Sequence, residues 1–494
     1  MIPTGPLRVL SLKLHGLLRR ATGRALLGTI VGNAPGFLLP FAIAAHFQIG
    51  RLTDAYAFAL GVAMFASGVF VVVLQSNVLP ILQRMKHLGR TALVNRLQSI
   101  TIASTGIASI LYAIAAFASI IYVDHQSHWT SQQHTVLLVT TIVFAVFVVA
   151  SAVNSILSAA LNALDSFLVP AATQAMKSLV PLAIIAFVPT QASGLLIIAC
   201  LVAAGELART IYLYIHLRTV LPALPAVEPP EGYATELPLW RVAGPHGLSM
   251  LIAAASPLID RSVAASLPAG SITLIDLGEK TFQLPLTIIS TSLVLVAGTH
   301  WASMLTSNIP VLRRHFRHTI ARGILVCLLL LVGMFAMLGL LAVIAGPTFA
   351  GVPTKKVIVI ISLLLAGLPA AFVISAGARL LASTRSTYLL PWFAVCSFTT
   401  NLVFDILGAR WFGVQGIALS STIYRCVNAT LYLIVIRRLL NTHFEGLGIR
   451  RSASAKKRRN NADVPRVTAS KVDNSHRPGS SVPQHVAVRS KATS

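Results

Sequence analysis

Runs of about twenty apolar residues recur along the chain as far as residue 440, and they restrict its fold more than any other feature. A helix of this length crosses the roughly 30 Å hydrocarbon core of a bilayer. Charged residues make up only 11% of the chain, against about 25% in soluble domains. The sequence therefore predicts an all-α polytopic membrane protein. Its twelve expected spans lie near 27–47, 55–80, 98–122, 135–161, 166–189, 193–217, 241–267, 272–301, 319–346, 356–380, 387–408 and 413–437.

Lysine and arginine are concentrated in alternate loops between these spans. One loop carries Arg84, Lys86, Arg90 and Arg96, whereas the next loop on the opposite side has no such cluster. The positive-inside rule then places both termini in the cytoplasm. The net charge of +25 follows from this loop pattern, so it does not indicate nucleic-acid binding.

A proline- and glutamate-rich break near the middle of the chain predicts two lobes of six helices each. The last part of the chain has few large apolar residues and many basic ones, so it is predicted to be a disordered tail that attracts anionic lipid of the inner leaflet. The expected regions are a basic cytoplasmic N-terminus (1–26), an N-lobe (27–217), a cytoplasmic linker (218–240), a C-lobe (241–440) and the tail (441–494).

The stretch 256–285 carries five charged residues within two otherwise apolar spans. Hydrocarbon tolerates such groups at a cost of roughly 2.5–3.5 kcal/mol each unless they face a partner or a wet cavity. These two helices are therefore expected to line a polar interior. The five residues are Asp260, Arg261, Asp276, Glu279 and Lys280.

Four stretches carry a resemblance to a known family. They are LPAGSITLIDLGEKTFQLP at 267–285, GFLLPFAIAAHFQIGRLTDAYAFA at 36–59, LNALDSFLVPAATQAMKSLVPL at 161–182 and NLVFDILGARWFGVQGIALSSTIYRCVNATLYL at 401–433. Together they resemble the MurJ/MviN lipid II flippases of the multidrug/oligosaccharidyl-lipid/polysaccharide exporter superfamily. The resemblance implies a MATE-like fold and alternating-access transport of an undecaprenyl-pyrophosphate-linked saccharide, either lipid II or a polysaccharide, O-antigen or exopolysaccharide precursor.

Some positions depart from the family pattern. Where the family carries cavity arginines in its first two helices, this chain has Asn33, Leu39 and Ser67, and Pro40 replaces an acidic residue. Lipid II flippases also have two further helices for the prenyl tail, beyond the twelve spans predicted here. These departures favour a divergent member that handles a lipid-linked saccharide other than lipid II, or one with weakened activity.

Three cations are expected at the substrate headgroup: Lys280, which matches a family cation, with Arg261 and Lys177. Asn33 and Ser67 complete the predicted headgroup site. An alternative is that Lys280 only pairs with Glu279 or Asp276 and stabilises the helix bundle. Asp54, just after the first span, is expected either to cap the second helix or to take part in gating. Glu279 is the second residue expected in gating or capping.

Three oxygen-bearing side chains form a candidate cation site. Asn401 and Asp405 are four residues apart and share a helix face, and Asp260 lies in the seventh span. In sodium-coupled members of the family the matching positions bind Na⁺. The resemblance implies that the Ser421 hydroxyl and the Ile417 carbonyl complete the shell.

Ion pairs are the alternative to a bound cation at this place. Asp260 has a basic neighbour in Arg261, and Asp405 has one in Arg425. Either pairing would neutralise a buried carboxylate without an ion.

The chain has no nucleophile–base pairing, phosphate-binding glycine loop or His/Cys cluster, and we therefore predict that it is not an enzyme. No cofactor beyond a possible coupling Na⁺ is expected. Two functions besides flipping remain open. One is a cation-coupled drug exporter of the same superfamily, and the other is a non-transporting scaffold that recruits envelope-synthesis enzymes.

Overall fold

The computed structural model describes residues 21–126, 129–223, 225, 239–294, 297–298, 300–301, 304, 309–383 and 388–462. Residues 1–441 form one compact unit, and residues 442–494 form a second. All contacts given below lie within the first unit. Helix is the dominant structure, because a chain in hydrocarbon must satisfy its backbone hydrogen bonds internally.

Twelve long helical segments follow one another in the described residues. They are α1 (Ala21–Phe47), α2 (Arg51–Leu88), α3 (Arg90–Asp124), α4 (Ser131–Ala163), α5 (Leu168–Phe187), α6 (Ala192–Val220), α7 (Leu239–Ala265), α8 (Ser271–Ile289), α9 (Ile309–Ala345), α10 (Thr354–Ala366 and Leu368–Ser383), α11 (Leu389–Phe412) and α12 (Val414–Ala462).

Each predicted span coincides with one of these helices, so the all-α polytopic fold is confirmed. Ten of the helices are long and apolar enough to cross a membrane by length and composition alone. The other two predicted spans correspond to α2 and to α8, and α8 carries three charged side chains. The chain is therefore a multi-pass membrane protein.

The last helix continues beyond the predicted end of the C-lobe. It runs through residue 440 to Ala462 and so includes the first part of the segment predicted to be disordered. Alanine, lysine and arginine, which are frequent there, are all good helix formers. Residues 463–494, most of the linker and the N-terminal residues 1–20 lie outside the described residues.

We call helices α1–α6 the N-lobe and helices α7–α12 the C-lobe, and in the described residues the two sets meet along the first two helices of each. Within the N-lobe α4 packs on α2, α3 and α6, and within the C-lobe α7 packs on α11 and α8 on α10. Between the lobes, α2 contacts α7 and α8, and α1 contacts α8. The charged residues of α7 and α8 are therefore at the interface between the lobes.

Helix α8 changes its hydrogen-bonding pattern near its end. Pro285 lies inside the helix and removes one backbone donor, and a π-helical turn follows at Ser290–Val294. Such widened turns are frequent at functional sites. Helix α5 is also irregular, since short 3-10 turns interrupt it at Thr173–Ala175 and Ile185–Phe187.

Candidate functional site

A cavity of about 200 Å³ lies between the two lobes. Helices α1, α2, α5 and α6 line it from the N-lobe, and α8 lines it from the C-lobe. Most of its wall is apolar. Its polar lining residues are Asn33, Thr53, Tyr56, Lys177, Ser178, Thr273, Asp276, Lys280, Gln283 and Thr287.

Two lysines reach this cavity from opposite lobes. Lys177 comes from α5 and also lies 5.9 Å from the centre of the Phe147 ring, and Lys280 comes from α8. Asn33 faces the same space, with its amide donating to the Thr29 carbonyl at 2.8 Å. The structure thus brings these three predicted headgroup residues together.

The other two predicted headgroup residues do not line the cavity. Ser67 is buried, and its hydroxyl lies 3.4 Å from the carbonyl oxygen of Met64 on its own helix. Leu39 and Pro40, which replace family residues of other chemistry, do line it. Of the positions matched to the family, Asn33, Leu39 and Pro40 of α1 thus line the cavity and Ser67 of α2 does not.

Arg261 is occupied by two carboxylates of α8. Its Nη2 donates to Asp276 Oδ1 at 2.7 Å and to Glu279 Oε2 at 2.6 Å, and its Nη1 donates to the Pro257 carbonyl at 2.9 Å. All three charged side chains are buried. A guanidinium gives up such paired contacts at high cost, so the predicted contact of Arg261 with the headgroup is wrong in this state.

The same ion pairs decide two further predictions. Glu279 and Asp276, the expected alternative partners of Lys280, both pair with Arg261 instead. Lys280 takes part in none of the ion pairs between described residues. Glu279 serves as an acceptor for Arg261 within the C-lobe. One arginine thus holds α7 and α8 together, while Lys280, next to Glu279 in the sequence, faces the cavity.

Gly61 makes room for Arg261 at the lobe interface. A Cβ atom at this position of α2 would lie 2.5 Å from Cδ and 2.8 Å from Nε of that arginine. Only a residue without a side chain allows the α7 arginine to lie against the α2 backbone. The pairing inside the C-lobe therefore depends on a position in the N-lobe.

Asp54 caps a helix of the opposite lobe. Its carboxylate accepts hydrogen bonds from Gly270 N at 2.6 Å, from Thr273 N at 2.8 Å and from Thr273 Oγ1 at 2.7 Å. These groups form the N-terminus of α8, where Gly270 has a φ of +92°. The prediction that Asp54 caps its own helix is wrong, because its side chain points across the interface to donors that no other group satisfies.

Further hydrogen bonds join the lobes at the same end of the molecule. Tyr122 Oη donates to the Ser262 carbonyl at 2.8 Å, and Trp129 Nε1 donates to the Ala265 carbonyl at 3.3 Å. The amide of Ile49 donates to the carbonyl of Ala350, in the turn of a small hairpin between α9 and α10. We call this set of contacts, with the Asp54 cap, the interlobe closure.

The structure brings the residues of the candidate cation site close to one another. Asn401 Nδ2 donates to Asp260 Oδ1 at 2.6 Å and to Asp405 Oδ2 at 3.2 Å. Ser421 Oγ donates to Asp260 Oδ2 at 2.9 Å. The Ile417 carbonyl oxygen lies 2.8 Å from the Ser420 hydroxyl, which also contacts Asp405. Since both carboxylates contact one nitrogen, the two bonded oxygens are at most about 6 Å apart.

These groups are completely enclosed, and the alternative ion pairs do not form among the described residues. Asp405 and Asn401 are fully buried, and Asn401 Oδ1 has no hydrogen-bond partner. Arg261 is bound to α8, as described above. Arg425 lies over the Phe282 ring at 4.0 Å and does not pair with Asp405. The two carboxylates therefore share an environment of neutral donors.

A separate buried network lies inside the N-lobe. Glu206 and Arg209 have the i, i+3 spacing of a helical salt bridge, and Arg209 Nη1 lies 3.1 Å from Glu206 Oε1. Asn154 of α4 donates to the same oxygen at 2.8 Å, and Arg209 donates to the Pro170 carbonyl at 3.3 Å. The network joins α4, α5 and α6.

A sequence model of the family described as lipid II flippase MurJ matches residues 43–455. The chain belongs to the MurJ lipid II flippase family. Members of this family are transporters, so the prediction that the chain is not an enzyme is confirmed. A search of curated proteins finds no sequence match.

Solved structures of MurJ and of its superfamily share the fold. One is a lipid II flippase MurJ in an inward closed conformation, with a TM-score of 0.64 and 15% identity over 83% of this chain and 87% of that one. A MATE transporter in complex with MaL6 gives a TM-score of 0.60 and 13% identity, with coverage of 86% and 98%. A superfamily transporter from Pyrococcus furiosus, described as having a binding pocket of reversed polarity, gives a TM-score of 0.60 and 13% identity over 86% of this chain and 97% of that one.

Three residues of the MurJ-like site were missed by sequence reasoning. Tyr56 lines the cavity, and its buried hydroxyl has no hydrogen-bond partner in the part of the chain that the structure describes. Ser420 contacts Asp405, and its i, i+3 spacing from Ile417 was an available signal. Gly61 gave no signal, because a glycine in an apolar helix has no distinctive pattern.

Proposed function

We propose that this MurJ family member is an alternating-access flippase. Its cargo is an undecaprenyl-pyrophosphate-linked saccharide, carried from the inner to the outer leaflet of a bacterial cytoplasmic membrane. The observation that carries the proposal is the pair of lysines, one from each lobe, at a cavity between the lobes. Family membership supports the same conclusion.

The chemistry of this cavity suits a pyrophosphate. Lys177 and Lys280 line the same cavity. Like charges in one enclosed site repel each other, and an anion between them would remove that repulsion. Asp276 also lines the cavity, and Arg261 offsets only one of the two carboxylates that it pairs with, Asp276 and Glu279. The two lysines exceed the remaining negative charge by one. The cavity therefore favours an anionic group, and it does so by contacts from both lobes, as a substrate that couples their movement requires.

The interlobe closure supports the alternating-access part of the proposal. Positive-inside topology assigns the end that contains Asp54 and Gly270 to the outer face of the membrane. The hydrogen bonds there hold the lobes together on that face. Transport to the outer leaflet would require their release, and anion binding between the lysines would change the balance between the two states.

The two alternative functions have less support. A cation-coupled drug exporter favours an acidic or aromatic cavity, whereas this one presents two lysines. A non-transporting scaffold needs no cavity between its lobes. Neither alternative explains why Lys280 faces the cavity although two carboxylates lie on the same helix.

Flipping of a fluorescent undecaprenyl-pyrophosphate-linked sugar in reconstituted vesicles tests the proposal. We expect Lys280→Ala to abolish flipping and Lys280→Arg to keep part of it, because the charge is retained while its geometry changes. Lys86→Ala is the matched control, since Lys86 pairs with Asp165 and does not line the cavity. Wild-type rates in both Lys280 variants would contradict the role of this lysine.

We also propose that Na⁺ is the coupling ion. The carboxylates of Asp260 and Asp405, the hydroxyl of Ser421 and the carbonyl of Ile417 are the hard oxygen donors that such a cation prefers. Rotation of the Asn401 amide by 180° would direct its unpartnered Oδ1 toward the carboxylates. A cation there would relieve the repulsion between two buried carboxylates and would tie α7 to α11.

The sodium proposal is tested by thermal stability in matched NaCl and KCl. Wild type should unfold at a higher temperature in NaCl, and Asp405→Asn should remove that difference. Glu206→Gln, a buried acid outside the site, should retain it. Equal stability of the wild type in both salts would exclude the Na⁺ site.

The orientation and the tail belong to the same proposal. Reporter fusions are expected to place both termini and the linker at 218–240 in the cytoplasm. The basic segment 450–494 is proposed to bind anionic inner-leaflet lipid, so its deletion should leave insertion intact. A linker found outside the cell would overturn the assigned direction of transport.

A further inference from the structure

A cleft of about 350 Å³ lies between α9 and α12, away from the central cavity. Three arginines line it: Arg313 and Arg317 from the first turns of α9, and Arg437 from α12. Arg313 and Arg317 are four residues apart, so they share a helix face. An adjoining cleft of about 570 Å³ follows the same part of α9 and adds Arg314 and His318.

No carboxylate among the described residues offsets the positive charge of this cleft. The sequence has no acidic residue between Glu279 and Asp405, and none between Asp405 and Glu445. None of the ion pairs found between described residues includes an arginine of the cleft. Three exposed guanidinium groups therefore converge without a carboxylate.

The rest of the cleft is apolar. Phe316, Ile436 and Leu440 form a buried floor, and Leu433 forms an edge that is 40% exposed. Apart from Val311 at its start, the exposed large apolar side chains of α9 begin at Leu325, eight residues or about 12 Å along the helix from Arg317. The arginines thus stand at the polar boundary of a surface that faces acyl chains.

We propose that this cleft binds the phosphate headgroup of an anionic phospholipid, with an acyl chain lying along Leu433 and the exposed apolar face of α9. Guanidinium forks match phosphate oxygens, and basic pockets between spans on the cytoplasmic side bind such headgroups. The start of α9 and the end of α12 lie on that side by the positive-inside rule. The site is separate from the proposed transport cavity, since it shares no lining residue with it.

Native mass spectrometry of the full-length protein tests this site. Phosphatidylglycerol, cardiolipin and zwitterionic phosphatidylethanolamine are added separately to delipidated protein. We expect the wild type to retain the anionic lipids and not the zwitterionic one. Replacing all three arginines of the cleft by glutamine should weaken anionic-lipid binding by about tenfold or more, since each basic residue near anionic lipid contributes roughly 1 kcal/mol.

Two further variants keep the test decisive. Replacement of the same three residues by lysine retains the charge and the fold but loses the fork, so intermediate binding is expected. A control with equal charge loss removes exposed arginines outside the cleft, namely Arg51, Arg90 and Arg410. It should bind anionic lipid like the wild type.

Three results would overturn the proposal. One is wild-type binding in both the glutamine and the lysine variants. Another is an equal loss in the control, which would mean that total charge alone attracts the lipid. The third is displacement of the bound lipid by inorganic phosphate at equal concentration, which would identify a free-phosphate site.

Discussion

Replacing Asp54 with alanine tests how the lobes are held together at the outer end. The change removes three hydrogen bonds from Gly270 and Thr273 to one buried carboxylate. A hydrogen bond to a charged group contributes about 1.5–3 kcal/mol, and loss of a helix cap costs about 1 kcal/mol. The three bonds share one acceptor, so we expect a combined loss of about 3 kcal/mol from the closed state.

This loss corresponds to a change of about 100-fold in the equilibrium between closed and separated lobes. The open state is not weakened in the same way, because there the carboxylate and the α8 amides regain water. A closed population of 99% would fall to about half under such a shift. The effect is therefore large enough for a distance measurement to detect.

Spin labels at two exposed positions near the interlobe closure, Ser131 and Ser266, report the separation of the lobes. The three exposed native cysteines, Cys200, Cys396 and Cys426, are first replaced by serine. We expect Asp54→Ala to add a longer distance to the distribution measured by pulsed electron paramagnetic resonance.

The matched control is Asp124→Ala at the same end of the molecule. Asp124 pairs with His134 inside the N-lobe, so its loss should leave the distance unchanged. If Asp54→Ala keeps the wild-type distribution while its melting temperature falls, the carboxylate stabilises α8 only and the reasoning about lobe closure is refuted.

Two other substitutions test the packing of buried charges through the thermal midpoint in detergent. Gly61→Ala should lower it, with a loss of about 1–3 kcal/mol from the clash with Arg261, whereas Gly68→Ala in the same helix, with no neighbour within 4 Å, should be neutral or stabilising. A midpoint in Gly61→Ala no lower than in Gly68→Ala would contradict the close approach. Arg209→Ala should lower the free energy of unfolding by about 3–5 kcal/mol, because it leaves Glu206 buried without its partner. An unchanged thermal midpoint would mean that the network adds no stability.

The helices, and the shared face of Asn401 and Asp405, could be predicted from the sequence because both depend on local spacing. Apolar runs of span length identified each helix, and the four-residue separation placed Asn401 and Asp405 on one face. Spacing along one helix says nothing about how distant helices pack, so only the family resemblance brought Asp260 and Ser421 to that face.

The partners of Asp54 and Arg261 could not be found in this way. Asp54 lies in the first turn of α2, which made its own helix the obvious partner, but its donors are 216 and 219 residues away. Adjacent helix residues such as Glu279 and Lys280 point in different directions, so nearness in sequence did not make them a pair. Only the packing of α7 against α8 determines that Arg261 takes both carboxylates.

The proline and the widened turn of α8 give this helix unequal stiffness along its length. Its first turns are fixed by Asp54 and by Arg261, so bending there would break several buried polar contacts. From Pro285 to Val294 the regular hydrogen-bond ladder is interrupted, and bending costs less. We therefore expect α8 to pivot about Pro285. Lys280, about one turn before that point, would then swing through only a short arc and would stay beside the central cavity while the inner end of the helix is displaced.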